Sequence, residues 1–158
     1  MMQSGEVSGV LKRYRWGFEP WALLLFALIM LPNLIWAWTP APQDVLRVES
    51  LTPVTDMIAG AAQAATIAAL VLLRHERCPQ TVCSGLCAAS ALCVLGYWLA
   101  WTLYYQGMTA APVILMMTLL PCAALLLFAL NRRNQLALAA GSAFTVCHFV
   151  FAMINFIC

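Results

Sequence analysis

Five uninterrupted apolar runs, each close to the length of a membrane span, constrain this chain more than any other feature. A helix needs about 20 apolar residues to cross the ~30 Å hydrocarbon core of a bilayer. The runs are Trp21 to Trp38, Met57 to Leu73, Ser84 to Tyr104, Pro112 to Leu130 and Leu136 to Ile157. None alternates apolar and polar residues with period two, which argues against a membrane β-barrel. Composition agrees: of 158 residues 64% are apolar and 9% charged, against roughly 45–50% and ~25% in soluble domains. One soluble core of this size cannot hide that much apolar surface. Soluble globular, disordered and disulfide-stapled secreted classes are therefore excluded. The expectation is an all-α polytopic membrane protein, residues 1–158 forming a single bundle of five transmembrane helices.

Charge placement orients the bundle. Short loops rich in Lys and Arg stay in the cytoplasm. Lys12, Arg13 and Arg15 precede the first run, Arg74 and Arg77 follow the second, and Arg132 and Arg133 separate the fourth and fifth. A cytoplasmic N-terminus with five spans puts all of these inside and leaves only Arg47 outside. The C-terminus is then extracytoplasmic, and the membrane expected is a plasma or bacterial inner membrane. Residues 1–15 read as a cytoplasmic tail. The first run ends in Trp36-Ala37-Trp38-Thr39-Pro40, too bulky for signal-peptide cleavage, so it is read as a retained span. Basic residues split into such clusters form no stripe for nucleic acid. The outer connection, 39–55, is stiffened by Pro40, Pro42 and Pro53. Its mixture of apolar and charged residues fits a short surface helix or an ordinary solvated loop.

Seven cysteines are the first candidates for chemistry. Cys78, Cys83 and Cys87 are spaced by five and four residues, unlike the short pairs of zinc sites, and no metal is expected. Within helices, Cys93, Cys122 and Cys147 act as small apolar residues. His75 and His148 lie at different depths, which excludes a bis-histidine haem. HExxH, GxSxG, P-loop and dinucleotide-turn signatures are absent, and no cofactor is expected.

The informative polar residues are intramembrane. Phe144, His148, Phe151 and Asn155 share one face of the fifth helix, as do Asp56, Gly60 and Gln63 on the second and Tyr97 and Trp101 on the third. Asn33 follows Pro32, which frees a carbonyl one turn earlier. Counted from the outer helix ends, Asn33, Gln63, Tyr97 and His148 lie ~8, ~9, ~10 and ~14 Å deep. Polar groups in hydrocarbon must find partners. Either they face one another around an outward-opening pocket, or they are interhelical hydrogen-bond glue beside an aromatic belt of Trp16, Trp21, Trp36, Trp38, Tyr104 and Tyr105. The candidate ligand-binding set is Asn33, Gln63, Tyr97, Trp101, His148 and Asn155, with Asp44, Arg47 and Asp56 ringing the mouth. Small residues on the second helix (Gly60, Ala61, Ala64, Ala65, Ala68 and Ala69) suggest a central, tightly packed helix. Pro121 should bend the fourth helix, with Thr118 helping to satisfy the freed carbonyl.

In helix count, length and tryptophan content the chain is similar to the translocator-protein family of tryptophan-rich sensors. The likeness is one of counts and assigns no residue a role. The leading functional expectation is a protein that binds or translocates a small amphipathic organic ligand. The alternatives are a structural or accessory subunit, and, with the least support, a surface enzyme using Asp44 and Asp56. Expected partners are the bilayer, a small amphipathic ligand, and a second copy or another membrane protein.

Overall fold

A computed structural model describes residues 14–76 and 84–157. The expectations for residues 1–13 and for Arg77, Cys78, Cys83 and Cys158 fall outside these. Five helices are long and apolar enough to span a membrane: α1 (Pro20–Trp38), α2 (Pro53–Leu72), α3 (Gly85–Tyr105), α4 (Ala111–Asn131) and α5 (Gln135–Ala152), which continues as a π-helical turn, Met153–Ile157. The apolar runs foresee each of them to within a few residues.

Local chemistry sets the ends. Proline opens α1 and α2 and sits in the first turn of α4, where its missing N–H costs nothing. Ser84 caps α3 by accepting from Cys87 N, and Asn134 caps α5 by accepting from Ala137 N. The turn after α3 needs the left-handed backbone of Gly107, at φ 88°.

One element was not expected. Tyr14–Trp16 (β1) pairs antiparallel with Leu73–His75 (β2). The last carbonyls of a helix lack partners within it, and here Gly17 N and Glu19 N donate to Leu72 O and Val71 O at 3.0 and 2.8 Å. The N-terminal strap thus completes the end of α2. Three-residue strands carry too little periodicity to be read from sequence.

The broadest packing is α3 on α4 and α2 on α5, with α4 on α5 next; α1 touches α2, α3 and α4 over much less surface. The tight approaches fall at Gly96 and Gly141. A Cβ on Gly96 would sit 2.9 Å from Leu120 Cδ1, and one on Gly141 3.1 Å from Leu126 Cδ2. The expected close packing of the small face of α2 is not found. Its buried residues are Ala59, Thr66, Ala69, Leu70 and Val71, whereas Gly60, Ala64 and Ala68 are exposed and a Cβ on Gly60 would meet nothing within 4 Å.

Candidate functional site

Consecutive helices run in opposite directions, so the C-terminal halves of α1, α3 and α5 meet the N-terminal halves of α2 and α4 at one end. The 39–52 loop covers that end; Arg74 and Arg132 mark the other. A cavity of about 500 Å³ lies in the loop-end half, and all five helices line it. From α1 come Ile29, Met30, Asn33 and Trp36, and from α2 Asp56, Ala59, Gly60 and Gln63. Tyr97 and Trp101 of α3, Thr118 and Pro121 of α4, and Phe144, His148 and Phe151 of α5 complete the wall.

Each polar group has a traceable position. Pro32 has no N–H to give Leu28 O, and Trp98 Nε1 of α3 donates to that carbonyl at 3.0 Å. One residue on, Asn33 Nδ2 donates to Ile29 O at 3.0 Å and to Tyr97 Oη at 2.7 Å. Two α3 residues therefore seat the proline-bent part of α1. The Tyr97 hydroxyl, used as an acceptor, retains its own proton. Trp101 is 5% exposed, and its indole N–H lies close to the Tyr97 hydroxyl but makes no well-formed hydrogen bond among the described residues. His148 is stacked between Phe144 and Phe151, with ring centroids 5.1 and 6.1 Å away and planes 20° and 7° apart. This is the flat wall that the spacing along α5 implies. Thr118 Oγ1 donates to Ile114 O at 2.8 Å, not to the Met117 carbonyl that Pro121 frees.

The mouth differs from expectation. Asp56 lines the cavity and accepts from Thr52 Oγ1 at 3.2 Å. Asn155 does not line it. Its side chain donates to Thr52 Oγ1 at 3.1 Å and accepts from Leu51 N at 2.7 Å, so it pins the loop that holds Asp56. Its place near the end of α5, next to unpaired loop amides, explains this use. Asp44 and Arg47 are likewise absent from the lining and form a clasp. Asp44 accepts from Trp36 Nε1 at 2.9 and 3.0 Å, from Tyr104 Oη at 2.9 Å and from Arg47 Nε at 2.8 Å. Arg47 Nη2 donates to Trp36 O at 2.7 Å, and the guanidinium lies 4.7 Å from the Trp36 ring centroid. Burial alone would raise the Asp44 pKa. The hydrogen bonds from Trp36, Tyr104 and Arg47, with the Arg47 charge, outweigh it and hold the carboxyl below its ordinary value.

Trp36 and Tyr104 are the residues the belt assignment missed. Trp36 lines the cavity, and Tyr104 is 0% exposed. Trp16 and Trp38 are 80% and 87% exposed. At the arginine end, Glu19 is buried between Arg132, 3.4 Å away, and Arg74, 3.7 Å away. Arg132 also lies 5.0 Å from the Phe128 ring centroid, and its Nε and Nη1 have no hydrogen-bond partner among the described residues. Arg132 and Arg133, adjacent in sequence and alike in charge, separate in the structure: Arg133 is exposed, but Arg132 is interior. The signal available was a lone Glu19 next to Pro20 at the start of a span.

Among the described residues no three His, Cys, Asp or Glu side chains cluster as a metal site, and Cys87, Cys93, Cys122 and Cys147 are free thiols. No protein-family model, curated protein or solved structure matches this chain, so no relative assigns these residues a role.

Proposed function

We propose that the protein resides in a plasma or bacterial inner membrane, N-terminus inside and C-terminus outside, and binds or translocates a small amphipathic organic molecule through the loop-end cavity. Orientation rests on the positive-inside rule: Arg15, Arg74, Arg132 and Arg133 sit at the end away from the 39–52 loop. The observation that carries the binding reading is the use of polar groups. Five helices converge on one cavity, and Gln63, His148 and the Trp101 N–H enter no hydrogen bond between helices among the described residues. The size lies within the ~300–1,000 Å³ usual for ligand sites. Neither Lys nor Arg lines it, and Asp56 at its mouth disfavours an anion.

A structural or accessory role is the second reading. It is favoured by Asn33 and Asn155, whose amide hydrogens are committed to protein acceptors. The surface-enzyme reading loses ground because Asp44 is fully engaged in the clasp.

The test is a thermal-stabilisation screen of uncharged amphiphiles on the purified protein, repeated on Gln63→Leu and His148→Phe. A compound that stabilises the wild type and neither variant supports the site. Equal stabilisation of all three proteins, or of none by any compound, refutes it. A C-terminal reporter reading cytoplasmic would overturn the orientation.

A further inference from the structure

A second, more open space adjoins the cavity. A groove of about 490 Å³ runs between α1 and α2, bounded by Leu23 and Phe26 on one side and by Gly60, Ala64, Ile67 and Leu72 on the other. Gly60 and Gln63 line both the groove and the cavity. Gly60 is open to a distance of 4 Å beyond the place a Cβ would occupy. The Gln63 amide, without a hydrogen bond among the described residues, lines both the polar chamber and the apolar trough. Twelve residues separate Gly60 from Leu72, so the trough is ~18 Å long, more than half of a ~30 Å hydrocarbon core. No side-chain hydrogen bond among the described residues joins α1 to α2 across it.

We infer that the ligand is a single-chain lipid with an uncharged, hydrogen-bond-accepting head, reaching the cavity sideways from the bilayer between α1 and α2 and leaving its chain in the trough. This rests on the ligand-binding reading above and adds the ligand class and the route. The head is specified by what awaits it: the Tyr97 proton, the Gln63 NH2 group and the buried Trp101 N–H beside Tyr97 can all donate, so a carbonyl or ester oxygen is complementary. Asp56, with no lining Lys or Arg, excludes a phosphate or carboxylate head. The chain is specified by the trough, which is lined almost wholly by apolar side chains and shares Gly60 and Gln63 with the chamber. A second copy of the protein is the competing occupant, because Gly60, Ala64 and Ala68 form a small-residue stripe. The stripe, however, lies in the floor of a concave groove walled by Leu23 and Phe26 of the same chain.

The experiment uses the full chain in phosphatidylcholine nanodiscs with a monoacylglycerol carrying a diazirine at the chain terminus. Photolabelled residues are mapped by mass spectrometry in the wild type, Gly60→Ala, Gly60→Phe and Ala64→Phe. The expected label falls on Leu23, Phe26, Ile67 or Leu72. Gly60→Ala retains it, and the two Phe variants lose it by about tenfold, as a steric block in a specific site should do. Ala64→Phe serves as the second block should Gly60→Phe fail to fold. Label scattered over lipid-facing residues and indifferent to both Phe variants overturns the lateral route, as does cross-linking of two copies through this stripe. Monoacetin, the head without a chain, separates the two claims. If it stabilises the wild type but not Gln63→Leu while labelling ignores the Phe variants, the cavity reading stands and the route falls. If monoacetin distinguishes neither Gln63→Leu nor His148→Phe from wild type and labelling ignores the Phe variants, both fall.

Discussion

Replacing Asp44 should unfasten the loop from the bundle, and the geometry says by how much. In Asp44→Ala the Tyr104 hydroxyl, on a residue 0% exposed, loses the acceptor for its proton; an unsatisfied buried donor costs about 1–3 kcal/mol. The Trp36 N–H, half-buried, loses a bond of about 1 kcal/mol. The Arg47 pair adds ~0–1 kcal/mol, because the Arg47 side chain is 41% exposed. The sum is about 2–5 kcal/mol. Asp44→Asn keeps one acceptor oxygen for Tyr104 and Trp36 but gives up the charge and the oxygen that accepts from Arg47 Nε, so it should cost about 1 kcal/mol. Both are read by unfolding followed with circular dichroism in one detergent. The double variant with Tyr104→Phe should be less destabilised than the sum of the singles, since each removes the same bond. pH supplies a further arm. The folded carboxyl lies below its ordinary value, so its stabilisation is present above the unfolded pKa of about 3.9 and disappears as pH falls through the lower folded value. Ala and Asn variants of equal stability, or strict additivity with Tyr104→Phe, would refute the clasp.

Three further outcomes follow from packing. Leu125 is 2% exposed whereas Ala64 is exposed, so Leu125→Ala should cost about 2–5 kcal/mol and Ala64→Leu within ~0.5 kcal/mol in the same unfolding assay. This reverses what the small-residue pattern of α2 implies. Glu19→Gln should cost about 3–5 kcal/mol by stranding the buried Arg132, and Glu19→Leu with Arg132→Leu should cost less than Glu19→Gln alone. Gly96→Ala should destabilise by about 1–3 kcal/mol through Leu120, while Gly60→Ala should stabilise by up to ~1 kcal/mol through helix propensity.

The five helices were legible because hydrocarbon imposes one length and one composition on every span, and both can be counted. The convergence of Asn33, Gln63, Tyr97, Trp101 and His148 was legible for a similar reason: alternating helix direction brings residues of like depth to one level, and helical spacing assigns the face. What escaped depends on residues far apart in sequence. Whether Trp36 belongs to a belt or a cavity is decided by Asp44, eight residues on across a turn. Tyr104 is decided by the same carboxylate, sixty residues away. The Asn155 misassignment has the same origin, since helix periodicity puts it on the His148 face but the loop amide of Leu51 claims it. The small stripe of α2 misled because small residues allow close packing without requiring it.

α1 is held unevenly, and this bears on how a ligand would pass. At the loop end the Asp44 clasp grips Trp36, and Tyr105 Oη donates to Thr39 O at 2.6 Å. At the arginine end Glu19 is tied through its backbone to Val71 O and through its carboxylate to Arg74 and Arg132. Between these points the polar ties run to α3 alone: Trp98 to Leu28 O, and Asn33 to Tyr97. The seam between α1 and α2 is therefore tied at the arginine end, bridged at the other end only by the 39–52 loop, and without polar ties along its middle among the described residues, where the trough lies. If that seam opens, α1 should move with α3 and away from α2. Spin labels on Leu24 and Ala65 should then give a broader distance distribution than labels on Leu24 and Leu95, all three positions being exposed. Trp98→Phe, which surrenders the bond to the Pro32-freed carbonyl, should broaden the Leu24–Leu95 distribution. Equal widths for the two pairs in the wild type, or no change with Trp98→Phe, would mean that α1 is not seated on α3 in this way.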